Sequence, residues 1–378
     1  MELTHRPFVT TGAVIAAASL TAVTPVAPPP LESKQRAVQL LTGEEDITLD
    51  LVRHGLNGPP SYQSIVGSFL PGYGLNATGE EQAQALVPAI EAEFPNGIAG
   101  IYAGDNIRMP ETVQPLADAL DMNIQQLPGL DEIPGGIYNG AASFDTPGGI
   151  LYELTLLAWG FGLELVPMPG SYDINGVAFD EDFSAAVQAI YDNTVSAGGA
   201  TTDIAASGEA AISTWVLMNV NNPDLNIFIP LFIDNLLGTS TFLPNAGQVV
   251  VEGSPGDWTL VSFNGEVIPA PDLLTELFVD VRNLIEAPQT AAYNIFESLL
   301  LDPSTTLSTI QTGLSDIATA TAQFPVAVID DILNALGVGA SSDLSADLTN
   351  LLSTAATDIS GLLPGELGTT LASTLTSL

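Results

Sequence analysis

Leu51-Val52-Arg53-His54-Gly55 is the stretch on which the reading of this chain turns. It closes an apolar run (Ile47, Leu49, Leu51, Val52) whose β-branched and leucine side chains predict a buried strand from Ile47 to Val52. Gly55 lets the backbone turn sharply. Side chains just before such a turn project from the strand's carboxyl end, where open α/β sheets bind ligands. The charge census singles out the same place. The 378-residue chain carries one lysine, five arginines and two histidines. Between residues 40 and 280 its only cations are Arg53 and Arg108, and its only histidine is His54.

The rest of the composition excludes whole classes of function. The formal net charge is −38, set by 44 acidic residues. Nucleic acid is excluded as a partner, because binding it needs basic surface to displace counterions from phosphate. Attraction to anionic membranes is disfavoured for the same reason. The chain has no cysteine, so disulfides, thiolate catalysis and cysteine metal sites are absent. With 46% apolar residues and acidic groups spread along the chain, a large folded core is expected rather than disorder.

Upstream of the central strand, His5 and Arg6 precede the apolar, small-residue run Gly12 to Val23, followed by Pro25 and Pro28-Pro29-Pro30. A charged region, an apolar region and a breaker in that order predict a secretory signal or N-terminal anchor over residues 1–30, and therefore an exported protein of the extracellular space or cell envelope. The apolar run is shorter than the ~20 residues of a membrane-spanning helix. No clean cleavage site is visible, so membrane association through the N-terminus stays open. Residues 31–45 read as a linker.

Downstream, Thr78 with Glu81 three residues later predicts a helix N-terminus, followed by Ala83, Leu86, Val87 and Ile90 at helical spacing. Ile98 to Ala103 reads as a second strand, Arg108 stands at the start of a second helix, and Gln125 to Leu130 reads as a third strand. Residues 140–175 read as an insertion lying over the site or the sheet. A helix over Asp180–Val195, a strand over Asp203–Ala206, a helix over Ala210–Val220 and a hairpin of Gln248–Glu252 with Trp258–Phe263 complete the pattern. The order predicts an α/β three-layer sandwich with a mostly parallel sheet and an antiparallel edge, over residues 46–268. From 269 to 378 the texture changes to Leu, Thr, Ser and Ala. Leu307, Ile310, Leu314 and Ile317 share one helical face, Leu344 to Leu362 another, and Pro303, Pro325 and Pro364 punctuate. This is a C-terminal helical tail whose apolar stripe faces the domain, a second copy in self-association, or a hydrophobic partner.

Four motifs, in order over residues 47–265, resemble those of the histidine phosphatase superfamily, phosphoglycerate-mutase-like branch. They are Leu51-Val52-Arg53-His54-Gly55; Leu75-Asn76-Ala77-Thr78-Gly79-Glu80-Glu81-Gln82-Ala83; Ile101 through Arg108 to Thr112; and Leu130-Asp131-Glu132-Ile133 with Gly136 to Gly140. The resemblance implies His54 as nucleophile, taking the phosphoryl group as a phosphohistidine with no metal or other cofactor. A neutral imidazole is a good nucleophile near neutral pH when its other nitrogen donates to a fixed acceptor. It implies Arg53 and Arg108 as the clamp on the phosphoryl oxygens, to which guanidinium forks are suited. Glu132 is implied as the proton donor and then the base for water, which requires a raised pKa. Asn57, where the family often has Thr or Ser, adds a phosphate contact.

One departure counts against full activity. The family's second histidine, late in the domain, is replaced: Ala205-Ala206-Ser207-Gly208-Glu209 puts Ser207 in its place, and the only other histidine is His5. Loss of a charged group that stabilises the transferring phosphoryl costs roughly 10²–10³ in rate. Glu209 beside the pocket adds repulsion toward phosphate if it faces inward. Two readings stay open: an exported phosphatase of small phosphomonoesters with reduced activity, or a non-catalytic anion-binding or envelope-interaction protein on a degenerate phosphatase fold. A mutase is disfavoured, since no further cation is present to hold a second anionic group.

Overall fold

The order of strands decides where the site can be. A computed structural model describes residues 45–59, 70–141, 146–238 and 240–335. The export segment, the linker and the Leu344–Leu362 face lie outside the described residues. Strand β1 is Ile47–Arg53, followed by helix α1 (Ala77–Glu93), β2 (Gly100–Ala103), α2 (Arg108–Leu120) and β3 (Ile124–Gln126). Then come α3 (Pro147–Gly160), α4 (Gly176–Ala197), β4 (Thr202–Ser207), α5 (Glu209–Asn219) and α6 (Leu225–Leu236). Strands β5 (Gln248–Ser254), β6 (Asp257–Phe263) and β7 (Glu266–Val267) precede the long helices α7 (Leu273–Leu301) and α8 (Thr306–Ala335).

The seven strands form one sheet in the order β3-β2-β4-β1-β5-β6-β7. The pairs β2–β3, β2–β4 and β1–β4 are parallel; β1–β5, β5–β6 and β6–β7 are antiparallel. The sheet is therefore mixed, with a parallel half that carries the site and an antiparallel extension.

Strand alternation sorts the core into two layers. Val52, Ile101, Ala103, Ile204 and Ala206 face α1 and α2, meeting Leu86, Ile90, Met109, Val113 and Leu116. Leu49, Leu51, Tyr102 and Ala205 face the other way, toward α3, α4 and α5, meeting Trp159, Phe183, Ile190 and Trp215. Helices on both faces make this the expected three-layer α/β sandwich, with C-terminal helices added. The segment read as an insertion supplies α3, whose Tyr152, Leu156 and Trp159 belong to the second core layer.

Three local expectations change. Helix α1 is capped by Asn76, whose side chain accepts from Gly79 N at 3.0 Å, and Thr78 lies inside the first turn. Both residues are good caps, and the bond from Asn76 N to Leu56 O fixes which of them stands outside the helix. The third strand is confined to Ile124–Gln126, because Pro128–Leu130 coils into a 3₁₀ turn. Pro325 does not interrupt the tail but lies within α8. Helix α8 packs along α7, so closely at Gly313 that an added Cβ would lie 2.8 Å from Ala291 Cβ.

Helix α7 is anchored on the α/β core. Arg282, 3% exposed, donates from Nη1 to Leu217 O at 2.6 Å and Val220 O at 3.1 Å, at the C-terminal end of α5. Phe278 meets Phe161 edge-on at 5.0 Å.

Candidate active site

Strand β1 sends its chain to α1 on one face, whereas its neighbour β4 sends its chain to α5 on the other. Connections diverging from adjacent parallel strands leave a crevice at the strands' carboxyl ends, the favoured ligand site of such sheets. Arg53 and Ser207 are register partners there, and His54 N donates to Ser207 O at 3.0 Å.

His54 is 6% exposed, and its Nδ1 lies 2.9 Å from Gly55 O. A carbonyl oxygen only accepts, so this bond assigns the proton to Nδ1 and leaves the lone pair on Nε2. The backbone around it is held from three sides. Gly55 N donates to Thr112 Oγ1 at 2.8 Å, Thr112 Oγ1 donates to Arg108 O at 2.7 Å, and Asn245 Nδ2 donates to His54 O at 3.0 Å. Gly55 is required by packing, since a Cβ there would lie 2.9 Å from Gly79 O in the first turn of α1. Burial first, and then the Arg108 and Arg53 guanidinium groups, hold the His54 imidazole well below its ordinary pKa, so it is neutral.

Arg108 opens α2 and is 6% exposed. Its Nη1 donates to Asn106 Oδ1 at 2.8 Å, and Asn106 in turn donates from N and from Nδ2 to Asp131 Oδ1, both at 2.9 Å. Glu132, next in the chain, is 9% exposed; its Oε1 accepts from Ile133 N at 3.1 Å and from Ala211 N, in the first turn of α5, at 2.9 Å. Burial raises the Glu132 pKa, opposed by the Arg108 guanidinium and these two backbone bonds. Gly208 borders the same carboxyl: a Cβ there would lie 2.2 Å from Glu132 Oε2. Glycine at 208 is thus what lets Glu132 reach the site.

Arg53 does not point into open space. Its Nη1 lies 2.6 Å from Glu209 Oε2 and also donates to Leu243 O. Ser207 is fully buried and donates from Oγ to Leu130 O at 2.6 Å. Asn57 pairs with Leu75 in an isolated antiparallel bridge on the segment leaving the site. Among the described residues no group of three or more His, Asp or Glu is arranged to hold a metal ion.

The structure therefore gathers Arg53, His54, Arg108 and Glu132 at one sheet edge, with Ser207 beside them. Sequence reasoning gave no role to Asn106 or Asp131, although both lie inside the quoted motifs, and did not single out Asn245 or Glu153. The Asp131–Asn106 and Asn245–His54 contacts join residues distant in the chain, which no local pattern pairs. Glu153, on α3, is half-buried. Burial first, and then the charges of Glu209 and Glu132, push its carboxyl up to about 8.

Residues 49–153, from β1 into α3, match the family model of the histidine phosphatase superfamily (branch 1), which bears out the resemblance over that span. The chain is also 42% identical over 317 residues to the PE-PGRS family protein PE_PGRS11 of Mycobacterium tuberculosis. That match covers 82% of this chain and 52% of the relative, so the chain spans about half the length of that protein. Among solved structures, mycobacterial hydrolase 1 is 18% identical, with a TM-score of 0.42, over 59% of this chain and 100% of the other. The mycobacterial glucosyl-3-phosphoglycerate phosphatase is 18% identical, with a TM-score of 0.41, over 58% and 99%. Phosphoserine phosphatase from Entamoeba histolytica is 22% identical, with a TM-score of 0.40, over 58% and 96%.

Proposed function

We propose that this chain hydrolyses small phosphomonoesters through a phosphohistidine on His54. The observation that carries the reading is the buried His54, fixed through Nδ1 to Gly55 O between two guanidinium groups. In the first step Nε2 attacks phosphorus, the ester P–O bond breaks, and Glu132 gives its proton to the departing alkoxide. In the second, the Glu132 carboxylate takes a proton from water as its oxygen attacks the phosphohistidine, releasing phosphate and restoring neutral His54. Arg53 and Arg108 hold the phosphoryl oxygens in both steps.

The test is hydrolysis of an aryl phosphate by the full chain, across the acid-to-neutral range, beside His54→Ala. Turnover that falls roughly 10³-fold or more in the variant supports the reading. Equal rates in both proteins would sink it.

A second reading, an anion-binding protein without turnover, draws support from Ser207. In the strand-end position where the resemblance calls for histidine, its hydroxyl is spent on Leu130 O. Phosphate binding without hydrolysis selects it. Export to the envelope is inferred from residues 1–30 alone; among the described residues no helix is long and apolar enough to cross a membrane. Self-association is inferred from the α7–α8 turn, where Leu299, Leu300, Leu301 and Leu307 are exposed.

A further inference from the structure

The guanidinium proposed to clamp a phosphoryl group already holds an anion. Glu209 opens α5, with Oε2 2.6 Å from Arg53 Nη1 and Oε1 accepting from Leu243 N at 3.1 Å. Arg53 Nη1 also donates to Leu243 O, so the carboxylate and the guanidinium are tied to the same residue. The two side chains keep 13% and 20% of their surface, and water therefore screens them weakly. A carboxylate on a guanidinium with a main-chain N–H behind it is the chemical equivalent of a bound phosphoryl oxygen. It is also tethered, so its effective concentration at Arg53 is far above that of any free ligand.

The surroundings give the displaced carboxylate no cation to move to. Glu132, Tyr152 and Glu153 are titratable neighbours that feel its charge. Among the described residues the remaining cations are Arg108, which holds Asn106, and Arg282, which caps the far end of α5.

We propose that Glu209 is a specificity-determining residue, an internal competitor on Arg53 that admits only anions able to displace it. The inference rests on the phosphatase reading of this site. A phosphoryl dianion brings about twice the Coulombic attraction of the resident carboxylate and displaces it. A carboxylate or sulfate monoester brings one charge, gains nothing over Glu209, and must also overcome the tether. Glu209 thus lowers the affinity of the site for any anion and sets its preference for doubly charged phosphoryl groups.

The experiment is calorimetric titration of the full chain and of Glu209→Gln with inorganic phosphate and, separately, with acetate, at one ionic strength. Glutamine keeps the side-chain length and one acceptor for Arg53 while removing the charge. Expected is phosphate binding at least tenfold tighter in the variant, with acetate binding measurable only there. Phosphate binding to the wild-type chain that is unchanged or weaker in the variant overturns the inference and leaves the phosphatase reading standing. Absence of phosphate binding in both proteins, with no hydrolysis by the wild type, overturns both. Circular dichroism checks the fold. If Glu209→Gln fails to fold, Glu209→Ala is titrated and judged by the same outcomes.

Discussion

Burial drives His54 and Glu132 in opposite directions, and that divergence is what the chemistry needs. Withdrawal from water penalises the charged form of each, so the imidazole is held neutral and the carboxyl is held toward its protonated form. The nucleophile is competent above the lowered pKa of His54, and the acid is competent below the raised pKa of Glu132. For the proposed hydrolysis the rate is therefore expected to hold below the raised Glu132 pKa and to decline as pH rises through it. Glu132→Gln should remove that alkaline decline and slow hydrolysis of an alkyl phosphate by roughly 10²-fold or more. An aryl phosphate, whose leaving group needs less protonation, should be slowed less. Paired pH–rate profiles on the two substrates check both statements. At this scale the sequence was readable where the signal was local. Arg53-His54-Gly55 are contiguous, and the scarcity of cations marks them. Glu209 was readable as a carboxylate beside the pocket, but its pairing with Arg53 was not, because the two residues lie far apart along the chain.

Helix α5 connects the site to the tail of the chain. Its first turn gives Ala211 N to Glu132, and its last turn gives the Leu217 and Val220 carbonyls to Arg282 of α7. A cation at a helix C-terminus satisfies orphan carbonyls and opposes the negative end of the helix dipole. Arg282→Leu should leave those oxygens without that donor and cost about 2–4 kcal/mol of stability, read as a lower urea midpoint. No change in midpoint would show that α7 is held by apolar packing alone. The strands and amphipathic helices of the domain were legible because their periodicities are strong. Helix α6 and the length of α7 were not singled out from the sequence; each holds a proline in its interior, Pro230 and Pro288.

The whole molecule sets the field in which the site works. A net charge of −38 repels phosphate monoesters as they approach, and salt screens that repulsion. The kcat/KM for an anionic monoester should rise about threefold from low to physiological ionic strength, with kcat nearly unchanged. A fall would show that local attraction at Arg53 and Arg108 outweighs the global charge. Composition, the absence of cysteine, the strand ending in Arg53-His54-Gly55 and the α/β class were all determined by the sequence itself, because each depends on residue type or short-range period. Tertiary structure alone decided that Asp131 holds Asn106 behind Arg108, that Glu132 rests on the N-terminus of α5 beside Gly208, and that Arg53 is occupied by Glu209. Those contacts join segments separated by tens to hundreds of residues, and only the packing of β1, β4 and α5 around one sheet edge brings them within hydrogen-bonding distance.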